Sequence, residues 1–237
     1  MLAKRVIPTL LQRGNTLVKG VGYDSWRSVG AAQQAMRIHA ARGVDELIYL
    51  DIAATPEGRG PDFAMVERLT ANFYTPITVG GGVRTLDDIK ELLRAGADKV
   101  AICTAARNDP KFIQQAAKKF GSQAICVVIE CRDRDNPRDI VSDAVRFAKL
   151  GAGEIIISRV ERDGTMKGYP IDLIGAVSRA VGVPVIASGG CSGYADMLAA
   201  VRAGASGVAA GALFLFTDAT PKGAAQYLRE NGVEARL

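Results

Sequence analysis

Residues 76–106, PITVGGGVRTLDDIKELLRAGADKVAICTAA, recur 108 positions later as PVIASGGCSGYADMLAAVRAGASGVAAGALF (184–214), with ten of the 31 positions identical. Each copy reads as a short apolar strand, a glycine turn, an amphipathic helix and a second strand. The same offset aligns ARGVDELIYLDI (41–52) with KLGAGEIIISRV (149–160), matching Gly43 to Gly151 and Glu46 to Glu154. Two half-barrels of four βα units account for this pattern, whereas a solenoid would need more copies of a shorter period.

Outward from the repeat, eight apolar runs are strand candidates: KRVIPTL, ELIYLDI, PITVG, KVAIC, AICVVIE, EIIISRV, PVIAS and GVAAG, each followed by a helical pattern. Eight such units predict an α/β fold, a (βα)8 TIM barrel, as one domain over residues 1–237 with halves at about 1–120 and 121–237. A doubly wound open sheet is the alternative, but its G-x-G-x-x-G after the first strand is absent. A chain of 237 residues with 48% apolar content is long enough to bury the core a barrel needs.

Composition narrows the function classes. No apolar run approaches the roughly 18 residues of a membrane span, and no basic region followed by an apolar stretch opens the chain, so a cytoplasmic protein without a membrane partner is expected. The net charge of +5 is spread over scattered Lys and Arg without interleaved aromatic residues, which argues against nucleic acid and for small anionic substrates. Cys103, Cys126, Cys131 and Cys191 show no C-x-x-C spacing, and His39, the only histidine, lies in a helical pattern where a surface or half-buried packing role is expected. Neither a metal nor a cofactor is called for, and acid-base chemistry falls to carboxylates.

Each half of the repeat places a glycine-rich turn after a strand, at 80–82 and at 188–190. Glycine there lets backbone N–H groups approach an anion, and the next helix adds its positive dipole end. The following strands end in CTAA and GALF, so Thr104 in one half and Gly211 and Ala212 in the other complete two candidate phosphate sites. The first strand, by contrast, ends in Leu10, Leu11 and Gln12, with no acid, base or nucleophile.

The segments MLAKRVIP, LVKGV, DELIYLDI, PITVGGGVRTLDDIKELLRAGADKV, FGSQAICVVIE, LGAGEIII, RDGTMKGY and PVIASGG carry a family resemblance over essentially the whole chain. It resembles the cyclase subunit of imidazole glycerol phosphate synthase, an enzyme of histidine biosynthesis. The resemblance implies a glutaminase subunit as heterodimer partner, and ammonia that crosses the barrel to a phosphorylated ribonucleotide, yielding imidazole glycerol phosphate and an aminoimidazole carboxamide ribotide. It assigns Gly82 and Thr104 to one phosphate, and Gly164, Gly189 and Gly190 beside Asp163 to the other. Ala212 stands where the family has serine, and Cys103 where it has asparagine. Arg5, Glu46, Lys99 and Glu154 match an ammonia gate at the amino-terminal mouth, and Asp98 a residue facing the glutaminase.

The family's acid-base pair of aspartates corresponds here to Leu11 and Glu130. Leucine moves no proton, so ring closure loses one of two positioned carboxylates, while Glu130 keeps an acid that reaches about one methylene further. Asp51 and Asp163 remain at strand ends as further catalytic or substrate-binding candidates. The loop CRDRDNPRDIV is shorter than the family's by around ten residues. The VIPTLLQ start with RDGTMKGY is similar to a branch found in bacterial surface-polysaccharide pathways, in which ammonia passes to a sugar-amidating enzyme. Three readings stay open: that branch, a histidine-pathway cyclase, and a non-catalytic scaffold that docks and activates a glutaminase. A related isomerase of histidine biosynthesis shares the half-barrel repeat but needs no charged gate.

Overall fold

The computed structural model describes residues 3–236. Ten strands form one sheet: β1 (Arg5–Arg13), β2 (Thr16–Val21), β3 (Asp24–Gly30), β4 (Leu47–Asp51), β5 (Ile77–Gly80), β6 (Lys99–Ile102), β7 (Ile125–Cys131), β8 (Glu154–Arg159), β9 (Val185–Ser188) and β10 (Gly207–Ala210). β1 and β4 to β10 are parallel neighbours in chain order, and β10 pairs back onto β1 from Arg5↔Gly207 to Pro8↔Ala210, so the eight close into a barrel ringed by helices. The eight strands and the barrel class follow the sequence expectation.

Two strands beyond the eight were not expected. β1 runs on to Arg13 and turns into β2, which pairs antiparallel with β1 at Leu11↔Val18 and with β3 at Lys19↔Arg27. This hairpin escaped prediction because β3, DSWRSVG, has no apolar alternation and is exposed along most of its length.

Side-chain direction follows the period of two. On β4, Leu47 and Tyr49 face the helices while Glu46, Ile48 and Leu50 face the axis; on β8, Ile155 and Ile157 face out while Glu154, Ile156 and Ser158 face in. The inward residues stack in layers. Ile7, Ile48, Cys126, Ile156, Ile186 and Ala209 form the apolar middle of the barrel. Charged side chains lie below it, towards the strand starts, and the polar strand ends lie above.

The outer layer is ordinary amphipathic packing. The helix Leu86–Arg94 begins in a capping box, Thr85 accepting from the Asp88 N–H while Asp88 accepts from the Thr85 N–H, and buries Ile89 and Leu92 against the sheet. His39, on the helix Ala32–Ala41, corrects the sequence reading: it is 4% exposed, fully inside, with its ring edge-on to Phe214. The packing role stands, but Phe214 from the far end of the chain covers the ring and buries it further than a surface or half-buried place. No helix among the described residues is long and apolar enough to cross a membrane.

Candidate functional site

The strand starts converge on a closed electrostatic ring. Arg5 Nη1 donates to Glu46 Oε2 at 2.6 Å and its second terminal nitrogen pairs with Glu154. Lys99 Nζ bridges the same two carboxylates, 2.9 Å from Glu46 Oε1 and 3.0 Å from Glu154 Oε2. The buried Thr78 hydroxyl donates to Glu46 at 2.9 Å. Burial pushes the Glu46 carboxyl up, but the charges of Lys99 and Arg5 and their hydrogen bonds outweigh it and hold Glu46 below the ordinary value. Burial works equally against Lys99 and Arg5, and the two carboxylates keep both cations above their usual values. The four residues that the resemblance assigned to a gate are thus brought together across four strands. Asp98, next to Lys99, is exposed and accepts a hydrogen bond from the Ile77 N–H at 2.8 Å.

At the opposite end a cavity of about 500 Å³ opens at the carboxyl ends of the strands. Its floor includes Ile48, Ile156 and Ala209, one inward position above Glu46 and Glu154. At about 3.3 Å rise per residue, the ring lies roughly 7 Å below that floor. All the sequence-derived phosphate residues, Gly82, Thr104, Gly164, Gly189, Gly190, Gly211 and Ala212, line this one cavity, together with Leu11, Asp51, Glu130 and Asp163. The two glycine turns both take left-handed backbone, Gly81 and Gly82 at φ 115° and 72°, and Gly189 and Gly190 at φ 83° and 102°.

The structure separates the three candidate carboxylates. Asp51 receives a forked pair from Arg59, at 2.6 and 3.0 Å, and also accepts from the Ala53 and Ala54 N–H groups. Asp163 is paired with the buried Lys19 at 2.5 Å. Both are engaged in holding cations. Glu130 is exposed at the end of β7 beside Cys103, whose thiol is pushed up to about 12 by burial and then by the Glu130 charge. Of the three, Glu130 is the one placed to move a proton. Leu11 is buried in the cavity wall, so no carboxylate faces the axis from β1. The connection after β7 is compact: Arg159 pins it by bonding the Arg132 carbonyl at 2.6 Å and Asp133 at 3.1 Å, and the next helix starts at Pro137.

Sequence reasoning missed Lys19, Tyr23 and Arg59. Lys19 and Tyr23 sit on the hairpin, which folds over the cavity and is seated by the Gly22 N–H on the Asp163 carbonyl at 2.9 Å. The only signal available was LVKGV, where an isolated lysine interrupts an apolar strand. Among the described residues no group of three or more His, Cys, Asp or Glu side chains is arranged to hold a metal, and the four cysteines are free thiols.

A comparison with protein families adds the lineage. The model of the histidine biosynthesis protein family matches residues 5–220, from the arginine of the charged ring to the start of the last helix. With the closed barrel and its paired glycine turns, the match shows that this chain belongs to the histidine biosynthesis protein family.

Proposed function

We propose that this chain is the ammonia-receiving barrel of a two-subunit glutamine amidotransferase, built like the cyclase subunit of imidazole glycerol phosphate synthase. In this reading a glutaminase docks on the amino-terminal face around Asp98 and releases ammonia over the ring of Arg5, Glu46, Lys99 and Glu154. Ammonia passes the apolar middle layer into the cavity, where the turns at Gly82 and Gly190 hold the terminal phosphates of a small substrate. With Leu11 in place of an acid, the barrel is a poor ring-closing enzyme and hands ammonia on to a sugar-amidating enzyme of surface-polysaccharide synthesis.

The observation that carries the reading is the coaxial arrangement: a fully paired charge ring, an apolar interior and a cavity bordered by two glycine turns on one axis. Neutral ammonia tolerates an apolar passage that excludes ammonium and water's ions. Opening requires one cation to leave the ring. Lys99, a point charge on a flexible stem, moves more readily than the forked Arg5 guanidinium. At the mouth, Glu130 moves the proton, Asp163 orients Lys19 towards the turn at Gly211, and Asp51 holds Arg59 over the rim.

A cyclase of histidine biosynthesis is the second reading, supported by Glu130 and the Lys19–Asp163 pair sharing one cavity. An assay with the bisphosphate ribonucleotide substrate and ammonium salts separates the two. Turnover below that of a two-acid cyclase by 10²-fold or more is expected, since one acid-base group contributes about 10²–10⁴-fold. Unimpaired turnover selects the second reading. A glutaminase that binds and is activated without any ammonia crossing selects the scaffold.

A further inference from the structure

Among the described residues, three other than glycine have left-handed backbone: Tyr23 (φ 63°), Ser25 (φ 53°) and Met166 (φ 52°). All three lie on the hairpin or the loop it packs against. Gly22 (φ 61°) and Tyr23 form the two-residue turn between the paired Val21 and Asp24. Positive φ at both central residues is the type I′ turn, whose second position favours glycine. A bulky L side chain there is strained. Strain of this kind persists where the surrounding structure compensates it, and it gathers at ligand sites.

The compensation is visible at the mouth. Tyr23 lines the cavity and shares a hydrogen bond of 3.1 Å with the Ser158 hydroxyl. Ser158 is the cross-strand partner of Glu130. Burial, then the charge of Glu130, push the phenol well above its usual value, and a phenol that holds its proton is able to donate. A phenol able to donate, a serine hydroxyl and a carboxylate able to accept together complement an alcohol, which needs both a donor and an acceptor. The glycine turns themselves hold no such combination.

We infer that Tyr23 is a substrate-positioning residue, which reads a hydroxyl or carbonyl oxygen in the middle of a bisphosphorylated polyol held between the two glycine turns. This rests on the proposal that those turns bind terminal phosphates. What it adds is the residue: Tyr23 carries the preference for an oxygenated centre and gives the mouth a polar contact on a wall where Leu11 supplies none.

Two probes of equal phosphate separation test it: ribulose 1,5-bisphosphate, with oxygens between the phosphates, and 1,5-pentanediol bisphosphate, with none. Binding is read from the fluorescence of Trp26, the only tryptophan, which lines the same cavity, and checked by calorimetry. The whole protein should bind the ribulose compound more tightly. Tyr23→Phe should weaken that probe about tenfold and leave the pentanediol probe unchanged, the size expected for one hydrogen bond. Tyr23→Gly should lose the same preference while its Tm equals or exceeds that of the parent, because glycine relieves the turn. Undiminished preference in Tyr23→Phe overturns the inference. So does equal binding of both probes to the parent protein, which leaves the two-phosphate reading standing. If neither probe binds by calorimetry, the two-phosphate reading falls and the inference falls with it.

Discussion

The two ends of this barrel are built by the same period-two rule and solve opposite problems. At the strand starts, Arg5, Glu46, Lys99 and Glu154 pair so completely that the ring is neutral and closed. At the strand ends, the inward layer is Leu11, Leu50, Cys103, Glu130, Ser158 and Ser188, covered by a strained hairpin and bordered by left-handed glycines. The closed end pairs all four of its charges with each other, whereas the open end pairs Asp51 with Arg59 and Asp163 with Lys19 and leaves Glu130 exposed. The contrast teaches that burial of charge and reserve of charge can be separated within one barrel by a single apolar layer.

The largest expected effect breaks the closed end. Lys99→Ala leaves Glu46 and Glu154 facing each other with Arg5 as the sole cation, and loss of a buried pair's partner typically costs about 3–5 kcal/mol. Urea denaturation should show that loss, while Lys99→Ala with Glu154→Gln should recover much of it. If the single variant is as stable as the parent, the ring is solvated and does not close the barrel. The same ring has a pH signature. Glu46 is held below its unfolded value of about 4.3, so its contribution is complete above that pH and disappears as the pH falls through the lower folded value. Lys99 is held above about 10.4, so its contribution is complete below that pH and is lost as the pH rises through the folded value.

The next effect restores the open end. Leu11→Asp places a carboxylate in the cavity opposite Glu130, and ring-closing turnover with ammonium salts should rise by about 10²-fold. No rise would mean that Glu130, one methylene longer, or Cys103 has reshaped the pocket beyond the missing acid.

A third measurement removes a background that otherwise blurs the acid limb of the ring. Burial, and then Arg42, lower the His39 imidazole to about 4. Its folded value lies below its unfolded value of about 6.5, so stability is full above about pH 6.5 and falls as the pH drops towards 4. This slope is worth roughly 2–3 kcal/mol. His39→Leu should flatten it; a slope that survives must come from carboxylates.

The smallest effect concerns the face around the closed end. Asp98→Lys should weaken glutaminase binding by several-fold, mainly through slower association, as rim charges do. Because Asp98 also holds the Ile77 N–H, Asp98→Asn is the control: it keeps an acceptor and removes the charge. Equal binding by all three forms, followed by surface plasmon resonance, would remove Asp98 from the interface.

Different parts of the molecule were legible to different degrees. The repeat marked Glu46 and Glu154 as equivalents, and it was the family resemblance that joined them with Arg5 and Lys99 at one mouth, where the fold brings all four together. The repeat marked the two glycine turns and Gly211, the resemblance added Gly164, and the fold gathers them into one space. The cations of the mouth were not readable. Lys19 meets Asp163 across 144 positions of sequence, and no local pattern records that pairing. Arg59 is only eight residues from Asp51, yet it sits in a loop without periodicity. Tyr23 was hidden for a further reason: its turn violates the residue preference by which such turns are recognised.

The sequence by itself determined the barrel, because eight short apolar strands with intervening amphipathic helices have few other ways to bury their apolar faces. It also determined that the first strand brings no carboxylate to the cavity, since Leu11 is a leucine in any fold. Only the tertiary structure decided which charges are spent. Whether Asp51, Glu130 or Asp163 is available to a substrate depends on cations delivered by a loop and a hairpin. Those contacts arise from closure of the barrel in three dimensions, where residues distant in the chain become neighbours at hydrogen-bond range.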